Sequence, residues 1–183
     1  MCRNLLRANY PVFACDIDAA RLTAIVNDGA VALAHPSEIA RRSDIVISMV
    51  PNDKALLSVV EGPAGLAASM TPGKIFVDMS TVSPAASARV AGALEATGCL
   101  YLRAPVSGST ALAEKGALSM YRSGPREAFE RCEPTFSNVF VACPTQEVLP
   151  SQVEHAHAVN DKRPNWQRIR NERIGCTHET LRC

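Results

Sequence analysis

Short, almost continuous apolar runs alternate along this chain with segments of helical periodicity. The apolar runs cover residues 12–15, 31–32, 45–50, 74–79, 99–104, 118–121 and 138–142. Segments with one apolar helical face or a helix-start signal cover residues 1–9, 19–28, 36–42, 53–60, 62–70, 84–97, 112–116 and 124–132. Near-continuous apolar runs are typical of parallel strands with helices on both faces. The alternation therefore predicts an α/β fold with a Rossmann-like, doubly wound and mostly parallel sheet.

Small polar residues and prolines close three of these runs. Residues 47–52 read Ile-Ser-Met-Val-Pro-Asn, residues 78–84 read Asp-Met-Ser-Thr-Val-Ser-Pro, and residues 103–109 read Arg-Ala-Pro-Val-Ser-Gly-Ser. Because ligands of open α/β sheets bind beyond the carboxyl ends of the strands, we expect all three loops at one rim. Ser107 and Gly108 would offer a hydroxyl and two backbone N–H groups to an anionic or hydroxylated small molecule. Taken alone, the same two residues are also an ordinary turn.

A carboxylate stands at the end of another predicted strand. The run at residues 12–15 ends at Asp16, and in a dinucleotide-binding fold such a carboxylate accepts the ribose hydroxyls of the adenosine half. It would repel a 2′-phosphate, so Asp16 favours NAD over NADP. The alternative role, capping the next helix, is served equally well by Asp18.

In this order and spacing, the three loops resemble the β-hydroxyacid dehydrogenase family, which includes 3-hydroxyisobutyrate dehydrogenase, tartronate semialdehyde reductase and 6-phosphogluconate dehydrogenase. The resemblance covers about residues 1–141. It implies hydride transfer between a small β-hydroxy acid and NAD. The cofactor contacts that it implies come from Val50, Pro51 and Thr81, beside Asp16, and the substrate contacts come from Ser107 and Gly108.

The sequence departs from the family pattern at several positions. It contains no G-x-G-x-x-G, and the family's Met-Ala-x-Asn-Leu-Leu corresponds to residues 1–6, so we expect the sheet to lack its first strand and glycine loop. Arg103 and Ser109 stand where the family has Asp and Gly. His157 stands at the position of the family's catalytic lysine, within a loosely matching stretch. Imidazole can transfer a proton near neutral pH, but it clamps a substrate hydroxyl less strongly than an ammonium group.

The character of the sequence changes after residue 143. The stretch that follows holds three of the four histidines and the only tryptophan, and it has no sustained apolar periodicity. We therefore predict an incomplete dinucleotide-binding domain over residues 1–143. A divergent, poorly ordered tail over residues 144–183 would stand in place of the family's helical second domain. The His and Cys spacings in this tail do not match zinc signatures, so we predict no metal site.

Composition limits which classes of binding partner and which cellular compartment we expect for this chain. A net charge of +1 gives no reason to expect nucleic acid, and no apolar run is long enough to span a membrane. Seven cysteines without a C-x-x-C pair favour a reducing compartment, which we take to be the cytoplasm. The mitochondrial matrix is the alternative, because the first fifteen residues contain Arg3 and Arg7 but no acidic residue and so faintly resemble a transit peptide.

Two other functions stay open at this point. The chain could be an inactive fragment that binds no cofactor. It could also be an interaction module that pairs with a full-length relative through the sheet edge that a missing strand would expose. Self-association into a homo-oligomer is compatible with each of these functions.

Overall fold

The computed structural model describes residues 1–137, residue 140 and residues 174–178. The described helices are α1 (Cys2–Arg7), α2 (Ala19–Asn27), α3 (Pro36–Arg42), α4 (Asp53–Glu61), α5 (Pro84–Glu95), α6 (Thr110–Glu114) and α7 (Arg126–Ser137). The described strands are β1 (Val12–Asp16), β2 (Val31–Ala32), β3 (Ile45–Met49), β4 (Ile75–Asp78), β5 (Leu100–Arg103), β6 (Val106–Ser107), β7 (Ser119–Met120) and β8 (Ile174–His178). Within these residues no helix is both long enough and apolar enough to cross a bilayer.

Six strands form one sheet in the order β2-β1-β8-β3-β4-β5, and every neighbouring pair is parallel. Successive strands β1, β3, β4 and β5 are joined by helices, as the alternation in the sequence predicts. The predicted α/β, Rossmann-like class is therefore confirmed. Strands β6 and β7 form a separate antiparallel hairpin that follows β5.

The two faces of the sheet carry separate apolar clusters because side chains alternate along each strand. Ile45 and Ile47 point to one face, which is covered by α1, α2 and α7 and is called here the α1 face. Val46 points to the opposite face, which is covered by α3, α4 and α5 and is called the α3 face. Both faces are apolar, so the strands read as continuous rather than alternating runs.

Strand β8, the last described strand of the chain, lies between β1 and β3 in the sheet. It pairs with β1 on one side and with β3 on the other, over all five of its residues. Gly175 faces α3, where a Cβ atom would lie 2.0 Å from Ile39 Cγ2 and 2.5 Å from the Ser43 hydroxyl oxygen. Only glycine therefore permits this approach between β8 and α3. Residues 174–178 therefore form a paired strand, where the sequence predicts a poorly ordered tail.

Three local predictions need correction or lie outside the described part of the chain. Residues 62–70 are turns rather than a helix, because Gly62 and Pro63 reverse the chain and Leu66 donates its N–H back to the Val59 carbonyl of α4. Helix α7 continues beyond the predicted end at residue 132, through Pro134, because Phe136 is buried on the α1 face. The strand predicted at residues 138–142 lies almost entirely outside the described residues.

Candidate functional site

The carboxyl ends of β1, β3, β4 and β5 lie along one rim of the sheet, because these strands are parallel. Asp16 is the last residue of β1, and Asp78 is the last residue of β4. The loops that contain Val50 and Thr81 follow β3 and β4, which are direct neighbours. The fold thus brings the predicted cofactor residues to a common edge.

The loops after β3 and β4 are bonded to each other. The backbone N–H of Val50 donates to the Ser80 hydroxyl oxygen over 2.9 Å, and both residues are buried. One residue further along each loop, Pro51 and Thr81 are exposed at the rim. The buried bond therefore fixes the spacing of two residues that face solvent, as a rigid binding edge requires.

The buried carboxylate of Asp78 holds Ser80, the acceptor of the Val50 N–H, in place. Asp78 Oδ1 accepts hydrogen bonds from the Ser48 hydroxyl over 2.9 Å and from the Ser80 N–H over 3.0 Å. Burial raises the pKa of Asp78 above its ordinary value, although the hydrogen bonds from Ser80 and Ser48 act in the opposite direction. No role was predicted for Ser48 or Asp78 from the sequence. The available signal was a serine inside the apolar run at residues 45–50, which needs a hydrogen-bond partner when it is buried.

A second contact joins the helices that follow the same two loops. Asp53, in the first turn of α4, accepts hydrogen bonds from the N–H and the hydroxyl of Ser83 at 2.8 and 2.5 Å. Ser83 also caps α5 by accepting from the Ala86 N–H. The hydrogen bonds from Ser83 lower the pKa of Asp53. The two loops are thus held together at their far ends as well.

Asp16 stands between two cavities and is not the helix cap. Its Oδ1 accepts the Asp18 N–H over 2.8 Å, and Asp18 itself caps α2 by accepting from Ala20 and Arg21 N–H groups. The alternative role considered for Asp16 is therefore filled by Asp18. Its Oδ2 takes no part in the bond to Asp18, and the residue lines both neighbouring cavities.

The two cavities differ in size and lining. The larger, of about 640 Å³, lies between helices α1 and α2 and strands β1, β3 and β8. Cationic and thiol side chains line it together with Asp16, namely those of Arg3, Arg7, Arg21, Cys2, Cys15 and Cys176. The smaller, of about 380 Å³, has no lysine or arginine in its lining and includes Ile17, Pro36, Val50 and Val59 beside Asp16. Both volumes lie within the range of small-molecule sites.

The predicted substrate residues lie in the hairpin that follows β5. Ser107 is exposed and pairs with Ser119 across the hairpin. Gly108 has a φ of 140°, and a Cβ atom there would lie 2.8 Å from Leu118 Cδ2. Glycine is therefore required at this position by the turn and by packing, whatever the residue contacts at the rim. Neither residue lines the two cavities beside Asp16.

His157, the predicted proton-transfer residue, lies outside the described residues, so its relation to the rim stays a prediction. Across the described ranges, no group of three or more His, Cys, Asp or Glu residues could hold a metal ion.

Comparison with known proteins gives the lineage of this arrangement. Residues 1–144 match the model of the NAD binding domain of 6-phosphogluconate dehydrogenase. The chain is 36% identical over 137 residues to the L-threonate dehydrogenase of Cupriavidus necator, covering 75% of this chain and 46% of that protein. The chain thus spans about half the length of this relative.

Solved structures agree with the sequence relatives. The 3-hydroxyisobutyrate dehydrogenase of Salmonella typhimurium superposes with a TM-score of 0.70 at 31% identity, covering 76% of this chain and 48% of that one. Psf3, solved in complex with NADP⁺ and 2-OPP, superposes with a TM-score of 0.74 at 26% identity, covering 78% and 50%. The predicted family is confirmed: the chain belongs to the family of the 6-phosphogluconate dehydrogenase NAD-binding domain, whose members include hydroxyacid dehydrogenases.

Proposed function

We propose that this chain provides the cofactor-binding half of an NAD-dependent 3-hydroxyacid dehydrogenase, which transfers hydride between a small β-hydroxy acid and NAD. The observation that carries the proposal is the 2.9 Å bond from the Val50 N–H to Ser80, which fixes two rim loops beside the cavities of Asp16. Both loops belong to the part of the chain that matches the family.

The donor set beside Asp16 fits the adenosine half of NAD. A carboxylate between the two cavities can accept ribose hydroxyls, while the smaller cavity, which has no lysine or arginine, receives the base. Arg3 and Arg21 are cationic residues of the larger cavity and would face the pyrophosphate. Each contacts a carboxylate at the surface, at 2.6 and 3.3 Å, so neither charge is fully available to a ligand.

The remaining roles follow from the rim. When bound, NAD accepts or donates the hydride, and the protein orients it. Pro51 and Thr81 would support the nicotinamide end, while Ser107 and Gly108 would hold the substrate. His157 would exchange the proton of the substrate hydroxyl. The substrate is a small hydroxy acid, and the relatives' names make L-threonate and 3-hydroxyisobutyrate the compounds to test.

The experiment compares NADH and NADPH binding to the wild type, Asp16→Asn and Glu95→Gln by fluorescence titration. Losing one charged hydrogen-bond acceptor should weaken NADH binding by about 10- to 100-fold and reduce the preference over NADPH. Glu95 is an exposed carboxylate at the end of α5, outside both cavities, so its variant should bind as the wild type does. Equal affinities in all three proteins would remove Asp16 from the proposed site.

A second assay separates binding from turnover. When the wild type is mixed with NAD and either hydroxy acid, the absorbance of NADH should increase with time. Binding without turnover would assign cofactor binding to this chain and place the chemistry elsewhere. Neither binding nor turnover would favour the inactive fragment or the interaction module.

A further inference from the structure

Two cysteines that lie far apart in the sequence meet at the larger cavity. Cys2 stands at the start of α1, and Cys176 lies in the middle of β8. Both line the cavity of about 640 Å³, Cys2 packs against the apolar cluster that contains Cys176, and each thiol shifts the pKa of the other. Both are free thiols, Cys176 buried and Cys2 half-buried.

The pairing geometry of β8 explains why these thiols meet. Cys176 is paired with Ala14 of β1 and Ile47 of β3, and residues in register on neighbouring strands point to the same face. That face is the α1 face, and Cys2 packs against its cluster. Gly175 points to the opposite face, where Ile39 leaves no room for a side chain. The glycine therefore sets the alternation that brings Cys176 under α1.

We propose that Cys2 and Cys176 form a reversible disulfide that fastens β8 to α1 when the protein meets a low-molecular-weight disulfide such as glutathione disulfide. This proposal does not depend on the proposed dehydrogenase function, because it concerns only the attachment of the central strand to the rest of the sheet. It adds a covalent link where β8 is otherwise held by strand pairing and packing.

The chemistry proceeds by two exchanges. The Cys2 thiolate attacks one sulfur of the external disulfide, forms a mixed disulfide and expels one thiolate. The Cys176 sulfur then attacks Cys2 Sγ and expels the second thiolate. Two protein thiols are oxidised to one disulfide, one external disulfide is reduced to two thiols, and the two protons pass from the protein thiols to the two leaving groups.

The environments of the two thiols assign these roles. The hydrogen bond from Cys176 lowers the pKa of Cys2, which favours it as the attacking thiolate. The contact with Cys2 and then burial raise the pKa of Cys176, which suits the second position in the sequence of exchanges. Cys15 lines the same cavity, but burial and the neighbouring Asp16 raise its pKa. Cys15 therefore serves as the control.

The test uses the full chain, equilibrated with reduced and oxidised glutathione and then blocked with N-ethylmaleimide. Trypsin digestion without reduction should release residues 1–3 joined to residues 174–182, a product that mass spectrometry identifies. The joined peptide should disappear in Cys2→Ser and Cys176→Ser and persist in Cys15→Ser. Circular dichroism verifies that each variant is folded, and the half-buried Cys2→Ser alone suffices if Cys176→Ser does not fold.

Thermal melting gives an independent measurement. Oxidation should raise the melting temperature of the wild type by about 5–15 °C, because the link closes a long loop. The melting temperature of Cys2→Ser should be the same in reducing and oxidising buffers. A pairing of Cys2 with another cysteine, a stable glutathione adduct without the joined peptide, or identical melting of oxidised and reduced wild type would overturn the proposal.

Discussion

The packing of β8 against α3 makes a sharp prediction for Gly175→Ala. The added Cβ would lie 2.0 Å from Ile39 Cγ2 and 2.5 Å from the Ser43 hydroxyl oxygen. Carbon atoms in contact are normally about 3.5–4.0 Å apart, so the strand and the helix would have to separate by about 1.5 Å or more. Ile39 is fully buried and cannot turn away into solvent.

The expected cost follows from this overlap. Overpacking a close-packed core costs about 1–3 kcal/mol, and the displacement required at Gly175 places the substitution at the upper end of that range. Replacing glycine by alanine in a strand returns about 0.5–1 kcal/mol through the unfolded chain. We therefore expect a net loss of about 2 kcal/mol in the free energy of unfolding.

Gly92→Ala is the matched control. Gly92 lies in α5, and a Cβ atom there would have nothing within 4 Å. The same substitution at this exposed helical position should raise the free energy of unfolding by about 0.5–1 kcal/mol. Urea denaturation followed by circular dichroism measures both variants. If Gly175→Ala is neutral or stabilising, as Gly92→Ala should be, β8 does not pack between β1 and β3 against α3.

Two further predictions concern the links between the rim loops. Asp78→Asn keeps an oxygen that accepts the hydrogen bonds from Ser48 and Ser80 but removes the charge. Burial raises the pKa of Asp78 above its ordinary value of 3.8, so the wild type loses stability as the pH rises from 3.8 through the folded-state pKa. Urea denaturation from about pH 4 to about pH 7 should therefore show the variant gaining on the wild type, and parallel pH profiles would contradict the raised pKa. Ser83→Ala removes the α5 cap and the hydroxyl that donates to Asp53, and should cost about 1–2 kcal/mol, against about 0.5 kcal/mol for Ser109→Ala at the short α6. Because the hydrogen bonds from Ser83 lower the pKa of Asp53, the part of this stabilisation that comes from Asp53 is fully present above pH 3.8 and is lost as the pH falls. Equal losses in the two variants would contradict the link between Ser83 and Asp53.

The strands of the sheet that coincide with apolar runs can be predicted from the sequence alone. Apolar runs locate β1, β3, β4 and β5 to within one or two residues. Asn9 is a candidate for ending the first helix in the left-handed region, and its φ is 62°. Because strand ends in a parallel sheet share an edge, the sequence pattern alone suffices to assign Asp16 and the loops with Val50 and Thr81 to one rim.

The place of β8 could not be predicted in the same way. Residues 174–178 read Ile-Gly-Cys-Thr-His, which shows neither a continuous apolar run nor clean alternation. Its position depends on the non-local pairing with β1 and β3 and on the fit of Gly175 against α3, and neither has a local signature. The hydrogen bonds of Ser48 and Ser80 to Asp78 could not be predicted for a related reason. Ser48 and Asp78 lie thirty positions apart and meet only when β3 pairs with β4.

Titration of the wild-type chain with NADH, with NADPH in parallel, measures whether the rim loops and the cavities beside Asp16 hold a nicotinamide cofactor. We expect saturable binding of NADH in the micromolar range and weaker binding of NADPH, because Asp16 would accept the ribose hydroxyls of NADH and repel the 2′-phosphate of NADPH. No binding of either nucleotide up to millimolar concentration would contradict the claim that these loops and cavities form a cofactor site in this chain.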